Sequence, residues 1–570
     1  MKRIVSGLLL LGFVCWGQSD FELVREKFRA REAQDSVKSV GAGLRPFPVC
    51  DLNGLLALMN DDGTVKGGDY QTNERGYWPL VGDHLFPLRR LAEFVYASRQ
   101  TPDPRAVDAF HRVLGWWLRQ DPKNSNWWWN EIGVPQILGE SCLIFTEPLT
   151  SEELAGVGRI LRRADASTKT TGQNHVWLAR IKLMRALIEQ DPVVAREAVD
   201  AIAGEIFLSD AEGIRPDWCF HQHGRQPQFG NYGLGYVVLM TRLANVLAGT
   251  SYAFPPEKMA LLRGLLEHGF RWICWKGRMD LSAMGRQITP GAQSTKAQST
   301  RQALMEYKRI DPTFPLDFPQ GFRFYDKSAY AIYRTDRWMA SVRMSTREVQ
   351  GVETWINSEN VLGGHLADGC LLTYVTGQEY DDVCPLWNDW RLVPGITSYK
   401  GVPPVSGRAP NQSDTVRGFE TNGVAVVEME FQRKGLRALK SWRFSPQVIC
   451  CEGREIVGTD PTHPVVTTVE QAHAAPTVEI FPPAKGLLKV LNGAIGYVIE
   501  ATEETCHRAV EARSGDFRSF NLKQPSCPRE GKVLSIWIDH GVCPQGGTYR
   551  YWVLPATTRE DLISFTPDNF

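Results

Sequence analysis

Residues 215–236, RPDWCFHQHGRQPQFGNYGLGY, gather two imidazoles and a phenol in a short run: His221, His223 and Tyr232. The spacing from His223 to Tyr232 is nine residues (232 − 223), and the intervening sequence is rich in Gly, Pro and Gln. That composition reads as a loop, and beyond Tyr232 the pattern turns apolar and helical. A loop that delivers an imidazole and a phenol to the start of a helix is equipment for moving protons. An HxH pair can also ligate a metal, but no HExxH motif or neighbouring carboxylate cluster offers a third ligand. No catalytic metal is expected. At the level of residue pattern the two histidines are undifferentiated proton-transfer groups.

Three other stretches carry residues suited to chemistry. Residues 126–135, NWWWNEIGVP, hold three consecutive tryptophans. On a helix these point about 100° apart, so they cannot all face one core. Trp127 and Trp128 either form a sugar-stacking platform or close a Trp-rich core corner. In TGQN, Asn174 stands where a helix N-cap would stand, or offers its amide to a carboxylate. MDLSAMGRQITPG places Arg286 after Gly285, the setting of a ligand clamp. WINSENVLGGHLADG supplies Glu359 and Asn360. Glu359 reads as a surface charge, an ion-pair partner or the residue that orients Arg286.

The elements that must position these groups fall into two parts. The chain has 570 residues, 43% hydrophobic and 22% charged, which implies two or three domains. Its 64 Lys+Arg balance 64 Asp+Glu, so no overall field attracts nucleic acid. Eighteen Trp and sixteen Tyr are many: large core positions account for most of them, and any beyond that suit a carbohydrate groove. Apolar residues recur at three-to-four spacing over 21–34, 88–99, 106–119, 151–163, 175–190, 192–204, 232–247 and 256–275, which predicts helices. Thr150 or Ser151 ahead of Glu153 starts one of them, and Asp191-Pro192 separates two more. After the Pro-rich DPTFPLDFPQG linker the pattern alternates in short β-branched and aromatic runs, which predicts a large antiparallel domain. The boundaries expected are 1–17 for a signal peptide, 18–315 for the helices and 321–570 for the sheets. The leader MKRIVSGLLLLGFVCWGQS has a basic start and an apolar run too short to span a membrane, so a secreted or periplasmic protein is expected. Removing Cys15 leaves eleven of the 12 cysteines. No CxxC appears, and Cys506 with Cys527 is a candidate bridge.

Taken in order, NWWWNEIGVP, TGQN, DWCFHQHGRQPQFGNYG, MGRQIT, NSENVLGGHLADG and WRLVPGITS resemble polysaccharide lyase family 8, the chondroitin AC, hyaluronate and xanthan lyases. The likeness is strongest to the chondroitin AC lyases and runs from Asp121 through Ala556. It implies an α+β multidomain chain: an incomplete α/α toroid followed by an antiparallel β-sandwich or super-sandwich. It implies an acidic polysaccharide as substrate, cut at 1,4 bonds to uronic acids by β-elimination to give 4,5-unsaturated products, with chondroitin or hyaluronan as the model. By the same likeness Asn174 neutralises the carboxylate, and His223 and Tyr232 move protons. Arg286 sits beside the tyrosine, Glu359 holds the network, and Trp127, Trp128 and Asn360 grip the chain. Which of His223 and Tyr232 takes the first proton stays open. For Tyr232 to act as a base, Arg286 must lower its pKa from about 10.

The chain departs from the family where Pro290 replaces a second arginine four residues after the first, and its small carboxy-terminal β-domain reads as reduced or absent. A monomer needing no cofactor is expected, with a structural calcium left open. The rival readings are a lyase of xanthan or alginate, a hydrolase using a carboxylate pair from Glu131, Asp217 and Glu359, and a non-catalytic glycan-binding protein.

Overall fold

Thr150 opens the helix Ser151–Leu161 with a full capping box. Its hydroxyl accepts from the Glu153 N–H, and the Glu153 carboxylate accepts from the Thr150 N–H, so two otherwise orphaned donors are satisfied. Asp191 caps Pro192–Gly204 in the same spirit, accepting from Val193 and Val194. The computed structural model describes residues 20–34, 51–164, 170–405, 409 and 411–567. The expected leader at 1–17 lies outside the described residues.

Helices occupy 20–34, Leu52–Ala57, Pro79–Ala97, Pro104–Gln120, Val134–Ile144, Ser151–Leu161, Gly172–Glu189, Pro192–Gly204, Leu234–Leu247, Pro256–Leu265 and Ala292–Ile310. Three of these were not expected from the pattern: the six-residue Leu52–Ala57, Val134–Ile144 and Ala292–Ile310. Val134–Ile144 is buried nearly throughout, so it has no polar face to create a three-to-four rhythm. Ala292–Ile310 errs the other way: it is polar, and its buried stripe mixes Ala292, Ala297, Ala303, Leu304 and Tyr307 with the polar Gln293, Thr300 and Glu306. The helix expected over 256–275 ends at Leu265, passes through a π turn at Leu266–Phe270 and becomes a strand at Cys274–Trp275.

The chain divides into two compact units. One takes residues 1–207, 239–262 and 309–312 and is helical. The other takes 208–238, 263–308 and 313–570 and holds the sheets. The stretches bearing His223, Tyr232 and Arg286 therefore belong to the sheet-bearing unit, not the helical one.

That unit contains a four-stranded meander, Gly321–Tyr325, Tyr330–Arg334, Met339–Arg343 and Cys370–Tyr374. It also contains an eight-stranded sheet from Val416–Thr421 to Val478–Ile480, and a second four-stranded sheet centred on Pro464–His473 and Pro528–Val542. The ladders are antiparallel. Strand Leu436–Phe444 shows the alternation expected of a half-buried strand: Leu436, Ala438, Trp442 and Phe444 face inward beside the buried Lys440. Trp338, Trp442, Tyr497 and Tyr551 anchor the apolar core.

The candidate disulfide does not form; Cys506 and Cys527 are free thiols. In the hairpin Cys506–Asp516 with Pro528–Val542, Cys506 lies opposite Ile538 and Asp516 opposite Pro528. The two thiols thus sit at opposite ends of the ladder, far beyond the few ångströms a bridge allows.

Candidate active site

Tyr232 is presented by a π turn, Phe229–Gly233, that runs straight into the helix Leu234–Leu247. Such single π turns widen a helix locally and recur at functional sites. Glycines make this one possible. A Cβ on Gly230 would lie 2.5 Å from the Met284 Cα, and one on Gly233 would lie 2.8 Å from the Gln228 carbonyl oxygen. The turn bearing Tyr232 is thereby pressed against the segment bearing Arg286. The residue before Arg286, Gly285, takes φ +71, a conformation that favours glycine.

Four of the expected residues come together here. The rings of His223 and Tyr232 stand 4.7 Å apart, centroid to centroid, nearly edge to face. The Arg286 guanidinium carbon lies 5.5 Å from the centre of the Tyr232 ring. Arg286 Nε donates to Glu359 Oε2 at 2.7 Å. The sequence reading missed a fifth member, Glu353. Its Oε1 accepts from His223 Nδ1 at 2.6 Å, its Oε2 takes a short hydrogen bond from Arg286, and Gln228 Nε2 reaches the same oxygen at 3.3 Å. Glu353 thus joins the imidazole to the guanidinium, while Glu359 braces the guanidinium alone. The signal that could have found it is a second carboxylate six residues before Glu359, in the same Trp- and Asn-bearing loop.

That loop holds its carboxylates under backbone strain. Trp355, Asn357, Ser358 and Asn360 all have φ between +48 and +68, which non-glycine residues adopt at a cost of order 1–3 kcal/mol each. His223 itself has φ +60. Trp355 leaves its indole 58% exposed, two residues from the buried Glu353. Asn360, expected to touch substrate, has no exposed surface. It works as a strut: its Nδ2 donates to the Glu353 carbonyl, and its N–H donates to Asn521 Oδ1.

The charges follow from burial and neighbours. Burial raises Glu353, but the hydrogen bond from His223 and the Arg286 cation outweigh it and hold the carboxyl down to about 2. Glu353 is therefore an ionised acceptor, which holds a proton on His223 Nδ1 and leaves Nε2 as the ring nitrogen available for proton exchange. Burial pushes Glu359 up, and Arg286 offsets this only in part. Tyr232 overturns the expectation of a lowered phenol. Burial raises it above its ordinary value, and the charge and hydrogen bond of Arg286 pull it back without overcoming that. At rest Tyr232 is a neutral phenol. His221 has no exposed surface, donates through Nε2 to Ser328 Oγ at 2.9 Å and is kept neutral by burial, so its place is structural.

The remaining expected residues belong to the helical unit. Gly172–Glu189 begins two residues before Asn174, so Thr171, not Asn174, is the N-cap position. Asn174 sits inside the first turn, 9% exposed, and its Oδ1 has no hydrogen-bond partner. Trp127 is exposed, Trp128 is half-buried against Trp177, and Trp129 is buried among Trp78 and Trp128. Among the described residues no group of three or more His, Cys, Asp or Glu is arranged to hold a metal. No helix of the described residues is long and apolar enough to cross a membrane.

A helical part, an antiparallel part and a proton-transfer cluster braced by an arginine define the class of polysaccharide lyases built on helices and stacked sheets. Residues 85–312 match the N-terminal alpha-helical domain of polysaccharide lyase family 8, and residues 320–565 match its super-sandwich domain; the chain belongs to this family. It is 26% identical over 548 residues to chondroitinase-AC of Pedobacter heparinus, across 89% of this chain and 77% of the relative. It is 25% identical to the hyaluronate lyase of Thermasporomyces composti, across 80% and 67%. A solved chondroitinase AC lyase shares the fold at a TM-score of 0.86 and 23% identity, over 96% of this chain and 85% of that one.

Proposed function

We propose that this protein is an exported lyase that cleaves 1,4 bonds to uronic acids in chondroitin- or hyaluronan-like polysaccharides by β-elimination. The observation that carries the reading is the His223–Tyr232 pair: an open imidazole nitrogen and a neutral phenol 4.7 Å apart, both tied through Glu353 and Arg286. The matches to a chondroitinase-AC and a hyaluronate lyase support this choice of substrate.

The chemistry follows from what must move. The C5–H bond of the uronate breaks, its electron pair becomes the C4–C5 double bond, the C4–O bond breaks, and the departing oxygen takes a proton. C5–H is a very weak acid beside a charged carboxylate, because its loss adds a second negative charge. His223 Nε2 is the base that the electrostatics favour, with Glu353 stabilising the imidazolium that forms. Tyr232, held neutral by burial, donates to the leaving oxygen. Two neighbouring rings acting on one face of the sugar produce a syn elimination. Arg286 stabilises the phenolate left after the transfer, and the cycle closes when the His223 imidazolium gives up the C5 proton and the phenolate takes one back, directly or through solvent. We assign to Asn174 the role of donating to the substrate carboxylate. Such donors contribute about 3–4 kcal/mol in favourable cases. Trp127 and Trp128 are assigned to stacking on sugar rings.

The test is incubation with chondroitin, hyaluronan, xanthan and alginate, reading ultraviolet absorbance and product mass. Unsaturated products from the first two are expected. Products that have gained water and do not absorb would make the protein a hydrolase and defeat the reading, as would binding without turnover on all four.

A further inference from the structure

Lys296 lies in the first turns of the helix Ala292–Ile310. Part of its stem meets solvent, while the ammonium points inward and donates to two backbone carbonyls. One is Gly230, by a short hydrogen bond; the other is Met284, at 3.2 Å. Both acceptors are placed with respect to the chemistry. Gly230 is two residues before Tyr232, and Met284 is two residues before Arg286. These are also the two segments that meet where Gly230 has no room for a Cβ against Met284. One side chain from a third element therefore joins the π turn of the phenol to the turn of the guanidinium.

We propose that Lys296 is a positioning residue for the elimination, its ammonium holding the Gly230 and Met284 carbonyls so that Tyr232 stays in register with Arg286. The inference rests on the lyase reading above. A carbonyl of a π turn is an acceptor that regular helix bonding leaves underused, and a cation is the strongest donor that can occupy it. Without it the turn can relax toward ordinary helix, which rotates Tyr232 relative to Arg286. A displacement of about 1 Å in a reacting group costs on the order of 100-fold in rate.

Charge adds a second consequence. The groups facing the ammonium are the Glu359 carboxylate and the Arg286 guanidinium; Glu353, Tyr232 and His223 complete the network around Arg286. With Lys296 protonated, two cations stand against two carboxylates. Burial pulls the ammonium down to about 7, Glu359 supports its charge and Arg286 opposes it. Above neutrality Lys296 loses its proton, the donors to both carbonyls weaken and the network turns net negative. That opposes both phenolate formation and the approach of a uronate. The alkaline fall of kcat is therefore set in part by Lys296.

The experiment compares wild type, Lys296→Met and Lys296→Arg on chondroitin, with circular dichroism and melting temperature as folding controls. Lys296→Met is expected to lose about 100-fold in kcat with KM within about threefold, because the substrate-contacting groups are untouched. Lys296→Arg keeps a charge at every working pH. It is expected to recover at least about a tenth of the wild-type kcat and to move the alkaline limb up by about one pH unit or more. A folded Lys296→Met with wild-type kcat overturns the inference, and so does an alkaline limb in Lys296→Arg that coincides with wild type. If the Met variant fails to fold, the arginine limb decides alone. A wild type that forms no unsaturated product defeats the lyase reading and this inference together; an active wild type with indifferent Lys296 variants defeats only the inference.

Discussion

Glu353 Oε1 accepts from His223 Nδ1 at 2.6 Å, across 130 residues of sequence. The other oxygen of the same carboxylate is taken by Arg286, so one buried side chain sets both the tautomer of the proposed base and the position of the guanidinium beside Tyr232. Glu353→Gln keeps the shape and removes the charge. It is expected to lower kcat by about 100- to 10,000-fold while KM changes little, because the imidazole is no longer held with its Nε2 lone pair outward. Steady-state kinetics on chondroitin check this. A variant within about threefold of wild type would mean that the carboxylate only packs.

Tyr232→Phe removes the proton donor and keeps the ring that packs on His223. Turnover is expected to vanish while polysaccharide binding persists. Product absorbance and affinity electrophoresis in a chondroitin-loaded gel read the two separately. Full activity in this variant would end the mechanism. Because burial holds the phenol above its ordinary value, Tyr232 remains a donor through neutral pH, so the acid role should not fail on the alkaline side before Lys296 does.

Asn174→Ala separates binding from catalysis. If the amide meets the carboxylate mainly as charge builds, kcat falls by about 100- to 1,000-fold. A loss confined to KM would mean that the amide holds ground state and transition state alike.

Much of this was legible in the sequence because its signals are local. Thr150 or Ser151 ahead of Glu153 marked a helix start, and Thr150 is its cap; Asp191-Pro192 marked a break between two helices, and the break falls there with Asp191 as the second helix's cap. The alternation around Leu436–Phe444 is a strand signal wherever it occurs. His223, Tyr232, Arg286 and Glu359 carried ordered motifs. What stayed hidden depends on distance through space. Glu353 has no motif of its own, and its identity comes from the imidazole and guanidinium it reaches. Asn360 has the letters of a ligand contact, yet tertiary packing makes it a strut. The sign of the Tyr232 shift was misjudged because the cation beside it is visible in sequence order and the burial that outweighs it is not. Lys296 reads as one cation on a polar helix.

Glu470 gives a stability test independent of catalysis. It is buried in the strand Pro464–His473 and accepts from the hydroxyls of Tyr380 and Tyr497 and from the Gln471 N–H. Burial outweighs these bonds and pushes its carboxyl up to about 7. The folded state therefore holds this proton more tightly than the unfolded chain. The contribution to stability is full below the ordinary glutamate value of about 4.3 and is lost as pH rises through about 7, at a cost of about 4 kcal/mol by pH 8. Glu470→Gln removes the titration and keeps an acceptor oxygen, and the tyrosine hydroxyls can turn to meet its NH₂. Lys296 and Lys440, both pulled down to about 7 by burial, act with the opposite sign, so the difference between variant and wild type is the diagnostic quantity. The variant is expected to melt about 2–4 °C above wild type at pH 8 and to show no gain at pH 5. Equal displacement at both pH values would assign the effect to packing and leave Glu470 ionised in the fold.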